Sequence, residues 1–265
     1  MNTILDTIIA SKQKEVNALK SRTTLVQLEK EIAGVPNKTR SLYASLNDGS
    51  KTGIIAEFKR RSPSKGWFTS PDLEISNVVR AYDDVGASAI SVLTDQTYFG
   101  GSADDLIKTK AIVQVPVLRK DFMIDAIQIA ESKAMGADVI LLIAACLTPA
   151  QVRTLATYAA ALGLEIILEL HDESELNHIC DETTIIGINN RDLKTFAVDI
   201  DRSLKMAEML PKGVIKIAES GISSIENIRL FAKNGFKGFL IGENFMKSLD
   251  PAKAFTSFVE SLKSV

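Results

Sequence analysis

Three observations predict an α/β fold for this chain of 265 residues. Short Val/Ile/Leu runs alternate with helical stretches, which is typical of parallel strands buried on both faces. Six of these runs end abruptly in a charged or amide residue, and no Gly-x-Gly-x-x-Gly segment follows the first run. Because eight βα units favour closure of the sheet, the sequence predicts a single (β/α)8 TIM barrel with an N-terminal helical extension.

The predicted elements follow one another along the whole chain. Helices are expected first at 3–20 and 23–33, so residues 1–50 are interpreted as the extension, packed on a barrel of residues 51–265. Strands are predicted at 53–58, 88–93, 115–119, 137–143, 164–169, 184–188, 214–218 and 237–241. Helices between and after them are predicted at 72–85, 102–111, 124–135, 148–162, 172–180, 199–210, 223–234 and 248–262.

Helix-ending and helix-starting residues mark several of these boundaries. Thr148-Pro149 and Ser70-Pro71-Asp72 are interpreted as helix starts with a proline in or near the first turn. Four glycines stand between a predicted helix and the next strand, as helix-ending glycines do: Gly86, Gly136, Gly163 and Gly235.

Composition and charge argue against several classes of function. The 31 lysines and arginines against 33 acids give a net charge of −2, so no global basic field would attract nucleic acid or an anionic membrane. No stretch approaches the ~18 apolar residues of a membrane span, and the N-terminus does not resemble a signal peptide. Cys146 and Cys180 lack Cys-x-x-Cys spacing, so we predict buried reduced thiols rather than a metal site or a disulfide. No cofactor is expected. The expected setting is cytoplasmic, and the working expectation is a monomer.

Polar residues at the ends of the first, third and fifth strands supply candidate catalytic groups, because barrel strands share one active-site rim. Glu57 and Lys59 point to the same side, either as part of an anion-binding cavity or as a structural ion pair. Lys120 is a candidate general acid, Schiff-base nucleophile or anion ligand, unless it is simply solvated. Glu169 is flanked by leucines, and we expect a raised pKa and general base chemistry.

Three other polar features have more than one interpretation. His171 lies on the same side as Glu169 and is expected to be a hydrogen-bonded partner, whereas His178 is expected on a helix surface. Asn189 can orient a substrate, and Arg191 can either clamp an anion or pair with Asp192 or Asp199. The basic loop 60–68 is interpreted as a mobile lid rather than a nucleic-acid patch.

The last two strands are followed by small residues that open helices. Glu219-Ser220-Gly221 follows the seventh strand, and Gly242-Glu243-Asn244 follows the eighth. This placement is typical of phosphate sites in closed α/β barrels. We therefore expect backbone N–H groups near Gly221 and Gly242 to bind a phosphate.

Four motifs together resemble one enzyme family along essentially the whole chain. They are IAEFKRRSPS (55–64), LRKDF (118–122), GINNRDL (187–193) and AESGI (218–222). The chain is similar here to the indole-3-glycerol phosphate synthases, and the opening helix with Lys12 and Lys14 resembles their N-terminal extension. The resemblance implies a step of tryptophan biosynthesis. In it, 1-(2-carboxyphenylamino)-1-deoxyribulose 5-phosphate closes to an indole with loss of carbon dioxide and water.

The resemblance also implies roles for the rim residues. Lys120 protonates the ketone during ring closure, and Glu169 is the base of the dehydration. Lys59 is a candidate acid and carboxylate ligand, and either lysine could serve as the acid of the second step. Glu57 orients the lysines, and Asn189 positions the substrate.

The resemblance implies a further set of substrate contacts. Ser62 contacts the carboxylate and Phe122 the aromatic ring, while the backbone supplies the phosphate contact because Glu243 stands where some members have serine. The complete set of predicted substrate-binding residues is Ser62, Phe122, Arg191, Glu219, Ser220, Gly221, Gly242 and Glu243. The alternatives to this function are a Schiff-base aldolase and a non-catalytic phosphate- or RNA-binding barrel.

Overall fold

A closed barrel of eight parallel strands forms the centre of the computed structural model, which describes residues 3–34, 39–192 and 197–264. In chain order the strands are β1 (Ile54–Phe58), β2 (Arg61–Ser62), β3 (Gly66–Trp67), β4 (Ala89–Leu93), β5 (Val117–Lys120), β6 (Val139–Ile143), β7 (Glu165–Leu170), β8 (Ile185–Asn189), β9 (Ile215–Glu219) and β10 (Phe236–Ile241). β2 and β3 form an antiparallel hairpin, and the other strands pair in sequence order until β10 meets β1. The predicted fold is confirmed.

Helices precede the barrel and follow most of its strands. They are α1 (Ile4–Arg22), α2 (Leu25–Ala33), α3 (Leu42–Asn47), α4 (Ile75–Val85), α5 (Gln96–Phe99), α6 (Ala103–Ile112), α7 (Ala126–Ala134), α8 (Pro149–Ala161), α9 (Ile200–Glu208), α10 (Ile225–Lys233), α11 (Glu243–Met246) and α12 (Pro251–Lys263). Within the described residues, 3₁₀ helices lie at Ala144–Cys146 and Glu173–His178. None of the helices in the described ranges combines the length and apolarity that crossing a membrane requires.

Most of the predicted boundaries agree with the structure to within two residues, whereas the helix predicted from 248 begins only at Pro251. The four helix-ending glycines have φ between 70° and 102°, and Thr148 caps α8 with Pro149 in its first turn. Residues 70–72 do not start a helix, because Leu73 N–H closes a turn onto Ser70 and α4 begins only after the Glu74 carboxylate caps it. The helix predicted over 172–180 is the six-residue 3₁₀ helix, a tighter form used in short connections.

Alternate residues of each strand point into the barrel. Below the rim, these inward residues are apolar. Leu42 and Leu46 of α3 join this inner cluster. Its other buried members are Ile55, Ala89, Leu118, Val139, Leu141, Ile143, Ile167, Ile185, Ile215, Ile217 and Leu240. Residues of opposite parity pack against the helices in a second, larger cluster. The same alternation places the last inward residue of each strand at the rim.

Candidate active site

A cavity of about 340 Å³ opens at the carboxyl ends of the barrel strands. Every barrel strand contributes to its lining, as do α1 and the segment after β1. All of the candidate residues line it, namely Glu57, Lys59, Ser62, Lys120, Phe122, Glu169, Asn189, Arg191, Glu219, Ser220, Gly221, Gly242 and Glu243. The parity of the strands therefore brings together side chains that are up to 186 positions apart.

Lys120 lies among carboxylates at the floor of the cavity. Its Nζ atom is 3.1 Å from Oε2 of Glu169 and 3.6 Å from Oε2 of Glu219. Burial alone would lower the lysine pKa, but the negative charges of Glu169, Glu219 and Glu57 raise it above its ordinary value. Lys120 is therefore an ammonium at neutral pH, the form suited to protonating a carbonyl and unsuited to forming a Schiff base.

Glu169 is buried, yet its pKa is lowered, whereas its apolar flanks predict a raised one. Burial would raise the pKa, but the Lys120 charge, the His171 imidazole and the Asn189 amide together hold it well below its usual range. Asn189 Nδ2 donates to Oε1 at 2.8 Å, on the side away from the lysine contact at Oε2. The prediction of a raised pKa is wrong, because Glu169 is paired rather than isolated.

The two histidines occupy different environments. Nε2 of His171 lies 2.9 Å from Oε1 of Glu169, out of line for a hydrogen bond, and Nδ1 lies 3.7 Å from Glu175. Burial opposes protonation, but these carboxylates raise the pKa of His171 to about 9. His178 is buried, and its ring nitrogens lie 3.0 Å and 2.8 Å from the carbonyl oxygens of Glu175 and Leu147, so the expected surface position is wrong.

Glu219, unlike Glu169, has a raised pKa. Burial and the nearby charge of Glu169 both favour its protonated form. Gly187 makes space for it, since a Cβ there would lie 2.1 Å from Oε1 of Glu219. Gly242 does the same for Glu57, where the corresponding distance is 2.6 Å. Two inward-facing glycines therefore allow the barrel to hold three carboxylates at one level.

Ion pairs cross the mouth of the cavity. Lys59 lies 2.5 Å from Glu57, and Lys65 lies 2.5 Å from Glu243. Partial burial would raise the pKa of Glu243, but Lys65, Lys59 and Arg191 lower it below its ordinary value. The mouth therefore carries cationic groups next to carboxylates, and an anionic substrate can take the place of a carboxylate as the partner of a lysine.

The basic side chains of loop 60–68 are bonded to the protein more than the composition of the loop predicts. Arg60 is buried and donates to both carboxylate oxygens of Asp105, at 2.7 Å and 3.0 Å. Arg61 donates to the Thr97 carbonyl, and the β2–β3 hairpin forms the middle of the loop. Two of its cations are thus bonded to the protein, so the loop is not a solvated basic patch.

The rim beyond β8 and β9 combines side-chain and backbone groups. The Asn189 side chain accepts the N–H of Arg191 at 3.0 Å while it donates to Glu169. Ser220 and Gly221 both have left-handed backbone conformations, with φ of 66° and 69°. At Gly221 a Cβ would lie 2.5 Å from Val198, so the turn is closely packed.

Sequence reasoning placed Phe122 at an apolar rim but missed the other residues of the apolar wall of the cavity. Ile4, Leu5 and Ile8 of α1 line it, together with Phe99 of α5. The rings of Phe99 and Phe122 are 6.1 Å apart. The helical spacing of the α1 residues was visible in the sequence, but it indicates only a buried face and not what that face covers.

Comparisons with known proteins agree with the four motifs. The family model described as indole-3-glycerol phosphate synthase matches residues 5–258. A protein of that name from Bacteroides thetaiotaomicron is 44% identical over 263 residues, covering 99% of this chain and all of the relative. Another from Dechloromonas aromatica is 41% identical, covering 95% of this chain and 97% of the relative.

Comparison of structures supports the fold. The tryptophan synthase α2β2 complex from Pyrococcus furiosus contains a chain that superposes with a TM-score of 0.60 at 16% identity. The superposition covers 81% of this chain and 99% of that one. At this identity the likeness concerns the barrel alone. The family model and the relatives, by contrast, match almost the full length, and the chain belongs to the indole-3-glycerol phosphate synthase family.

Proposed function

We propose that this chain closes the indole ring of 1-(2-carboxyphenylamino)-1-deoxyribulose 5-phosphate, with loss of carbon dioxide and water. The observation that carries the proposal is a buried ammonium, Lys120, held between Glu169 and Glu219 at the floor of one cavity. The cavity walls differ in character, with cationic groups at the mouth and an apolar face from α1 and α5. A substrate with two anionic groups and an aromatic ring matches this division.

The proposed binding mode follows the chemistry of the walls. The phosphate is bound at the turns after β9 and β10, with Ser220, Gly221 and Gly242 as its cradle and Glu243 contributing only backbone. The substrate carboxylate meets Lys59, Ser62 and Arg191, and the aromatic ring packs against the wall that includes Phe122. Each anion then has a cationic group or N–H donors within reach.

Lys120 is the general acid of ring closure. As a ring carbon attacks the ketone carbon, the ketone oxygen takes a proton from Nζ and becomes a hydroxyl group. The carboxylate then leaves as carbon dioxide, and its bonding electrons restore the aromatic ring. Lys120 is suited to this role because the carboxylates around it keep it protonated in a buried site.

The same proton transfer prepares the second step. The positive charge of Lys120 is a main reason why the pKa of Glu169 is low, so loss of that charge makes Glu169 more basic. Glu169 then takes a proton from carbon while the hydroxyl leaves as water with a proton from Lys59, or from Lys120 once Lys120 has been reprotonated. Glu219, with its raised pKa, lies 3.6 Å from Lys120 and can return a proton to it.

Several broader expectations belong to the same proposal. Residues 1–50 form an extension of a catalytic barrel of residues 51–265, and the enzyme acts as a cytoplasmic monomer. It uses no cofactor or metal, and nucleic acid is not among its partners. The buried pairing of Arg60 supports the last point, because it removes a cation from the basic loop.

Indole fluorescence on mixing the purified protein with the substrate tests the proposal directly. Lys120→Ala is expected to lower turnover by at least ~10²-fold, the low end for loss of a general acid. Lys108→Ala, at an exposed lysine, is the control and should behave as wild type. Wild-type turnover by folded Lys120→Ala protein would refute the assignment. Borohydride trapping of a substrate adduct on Lys120 would favour the aldolase instead.

A further inference from the structure

A buried lysine joins the N-terminal helix to two separate segments of the barrel rim. Lys12 of α1 is only 2% exposed, and its Nζ lies 2.9 Å from Oδ1 of Asp121 and 3.0 Å from Oδ2 of Asp95. It also lies 2.6 Å from Glu15 on its own helix. Asp95 follows β4, whereas Asp121 follows β5. One ammonium group therefore contacts three elements that are far apart in sequence.

Asp121 organises the segment that carries the proposed general acid. It follows Lys120 directly, and its Oδ1, the atom nearest Lys12, accepts the N–H of Phe122 at 2.8 Å. Its other oxygen accepts the Thr94 hydroxyl at 2.6 Å. The Asp121 carboxylate is thus fully engaged, and Lys12 supplies part of its neutralising charge.

Asp95 organises the neighbouring segment in the same manner. Its Oδ1 accepts the N–H of Tyr98 at 2.7 Å and thereby caps α5, while Oδ2 faces Lys12. The helix that it caps carries Phe99, which lines the cavity beside Phe122. Both aromatic residues of this wall therefore depend on carboxylates that share Lys12.

Lys12 lies on α1 between the residues that line the cavity and a residue that packs in a separate apolar cluster. One turn before it, Ile8 lines the cavity, with Ile4 and Leu5 beyond. One turn after it, Val16 is buried in a separate apolar cluster with residues of α2 and α7. The two carboxylates outweigh the effect of burial and raise the pKa of Lys12, so its ammonium group stays charged.

We propose that Lys12 is a positioning residue that holds α1, α5 and the segment after β5 together as the ring-binding wall of the cavity. The identity of the ring-bearing substrate rests on the proposed function, whereas the tether itself rests only on the contacts of Lys12. Lys12 does not touch the reacting atoms in this arrangement. Its loss should therefore weaken substrate binding more than chemistry.

Lys12→Met tests this, with Lys14→Met as the matched control because Lys14 is an exposed lysine on the same helix. We expect KM for the carboxyphenylamino-deoxyribulose phosphate to rise about tenfold and kcat to change less than about threefold. The inhibition constant of inorganic phosphate should not change, because the partners of Lys12 follow β4 and β5 while the phosphate turns follow β9 and β10. Equal KM values for the two variants would overturn the proposal.

A second variant separates the loss of the Lys12 contacts from the effect of leaving buried carboxylates without a positive partner. Removal of Lys12 leaves buried carboxylates without their partner, which can destabilise the fold. Lys12→Met combined with Asp95→Asn removes one of those charges and keeps a good helix-capping residue. A raised KM in this double variant supports the tether. Recovery of the wild-type KM would overturn it, because neutralisation alone would then suffice.

Limited trypsin digestion tests the tether without any turnover. Lys12→Met and Lys14→Met each remove one trypsin site from α1, and both keep the sites at Lys20 and Arg22, where the cleavage rates are compared. Cleavage at these two shared sites should be faster in Lys12→Met, and equal rates would overturn the proposal. If the wild-type protein fails to form indole, the proposed function fails while the digestion still decides the role of Lys12.

Discussion

Replacing His171 with asparagine removes a buried cation that lies between Glu169 and Glu175. The imidazole pKa rises from 6.5 to about 9 in the folded protein because these carboxylates outweigh the effect of burial. At about 1.4 kcal/mol per pKa unit, this difference corresponds to ~3 kcal/mol of folding stability. Because the folded-state pKa is the higher one, the contribution is complete below about pH 6.5 and is lost as the pH rises through about 9.

Urea unfolding of the wild type and His171→Asn over a range of pH measures this contribution. The two free energies of unfolding should differ by ~3 kcal/mol near pH 6 and converge near pH 10. A difference that does not depend on pH would refute the reasoning, because it would mean that the imidazole acts through packing alone.

A direct titration by proton NMR provides an independent check on the same prediction. The chain has 2 histidines, so its imidazole C–H resonances are few, and the His171→Asn spectrum identifies the one that belongs to His171. That resonance should titrate near pH 9 rather than near the ordinary histidine value. A midpoint close to 6.5 would contradict the charged contact with Glu169.

The remaining predictions concern the carboxylates of the site. Glu169→Gln should preserve the fold and ring closure but slow dehydration by at least ~10²-fold, so that carbon dioxide is released without indole fluorescence. Normal indole formation would contradict the assignment. Gly187→Ala should displace the Glu219 carboxylate, because the new Cβ would lie 2.1 Å from Oε1, and we expect kcat to fall at least about tenfold. Gly49→Ala, with nothing within 4 Å of the new Cβ, is the control, and equal kcat values would argue against a requirement for space at residue 187.

Short-range patterns were sufficient to predict the barrel and the positions of its rim residues. The alternation of inward and outward side chains depends only on neighbouring residues, so parity at a strand end is readable from sequence. Glu57 and Lys59 illustrate this, since both line the cavity and lie 2.5 Å apart. The start of α4 was harder to predict, because Ser70-Pro71-Asp72 favours a turn as well as a helix start and only the turn forms.

Charge states and long-range contacts could not be predicted in the same way. The apolar flanks of Glu169 indicated burial correctly, but its pKa depends on Lys120, which lies 49 positions away on another strand. Lys12 left a signal in the sequence, because it stands on the same helical stripe as Ile8 and Val16, where a lysine is unexpected. The partners that compensate for its burial are supplied by the barrel and are not evident from α1 itself.

The site brings three carboxylates and two lysines together because the barrel forces alternate residues of neighbouring strands into one layer. Burial and the mutual repulsion of the three carboxylates favour protonation, so the carboxylate that the nearby cations stabilise least binds a proton more readily. Glu219 is that group, since it lies farther from the Lys120 ammonium than Glu169 does and its Oε1 atom has no hydrogen-bond partner. The spread of pKa values that acid–base chemistry needs thus follows from unequal contacts with Lys120, His171 and Asn189.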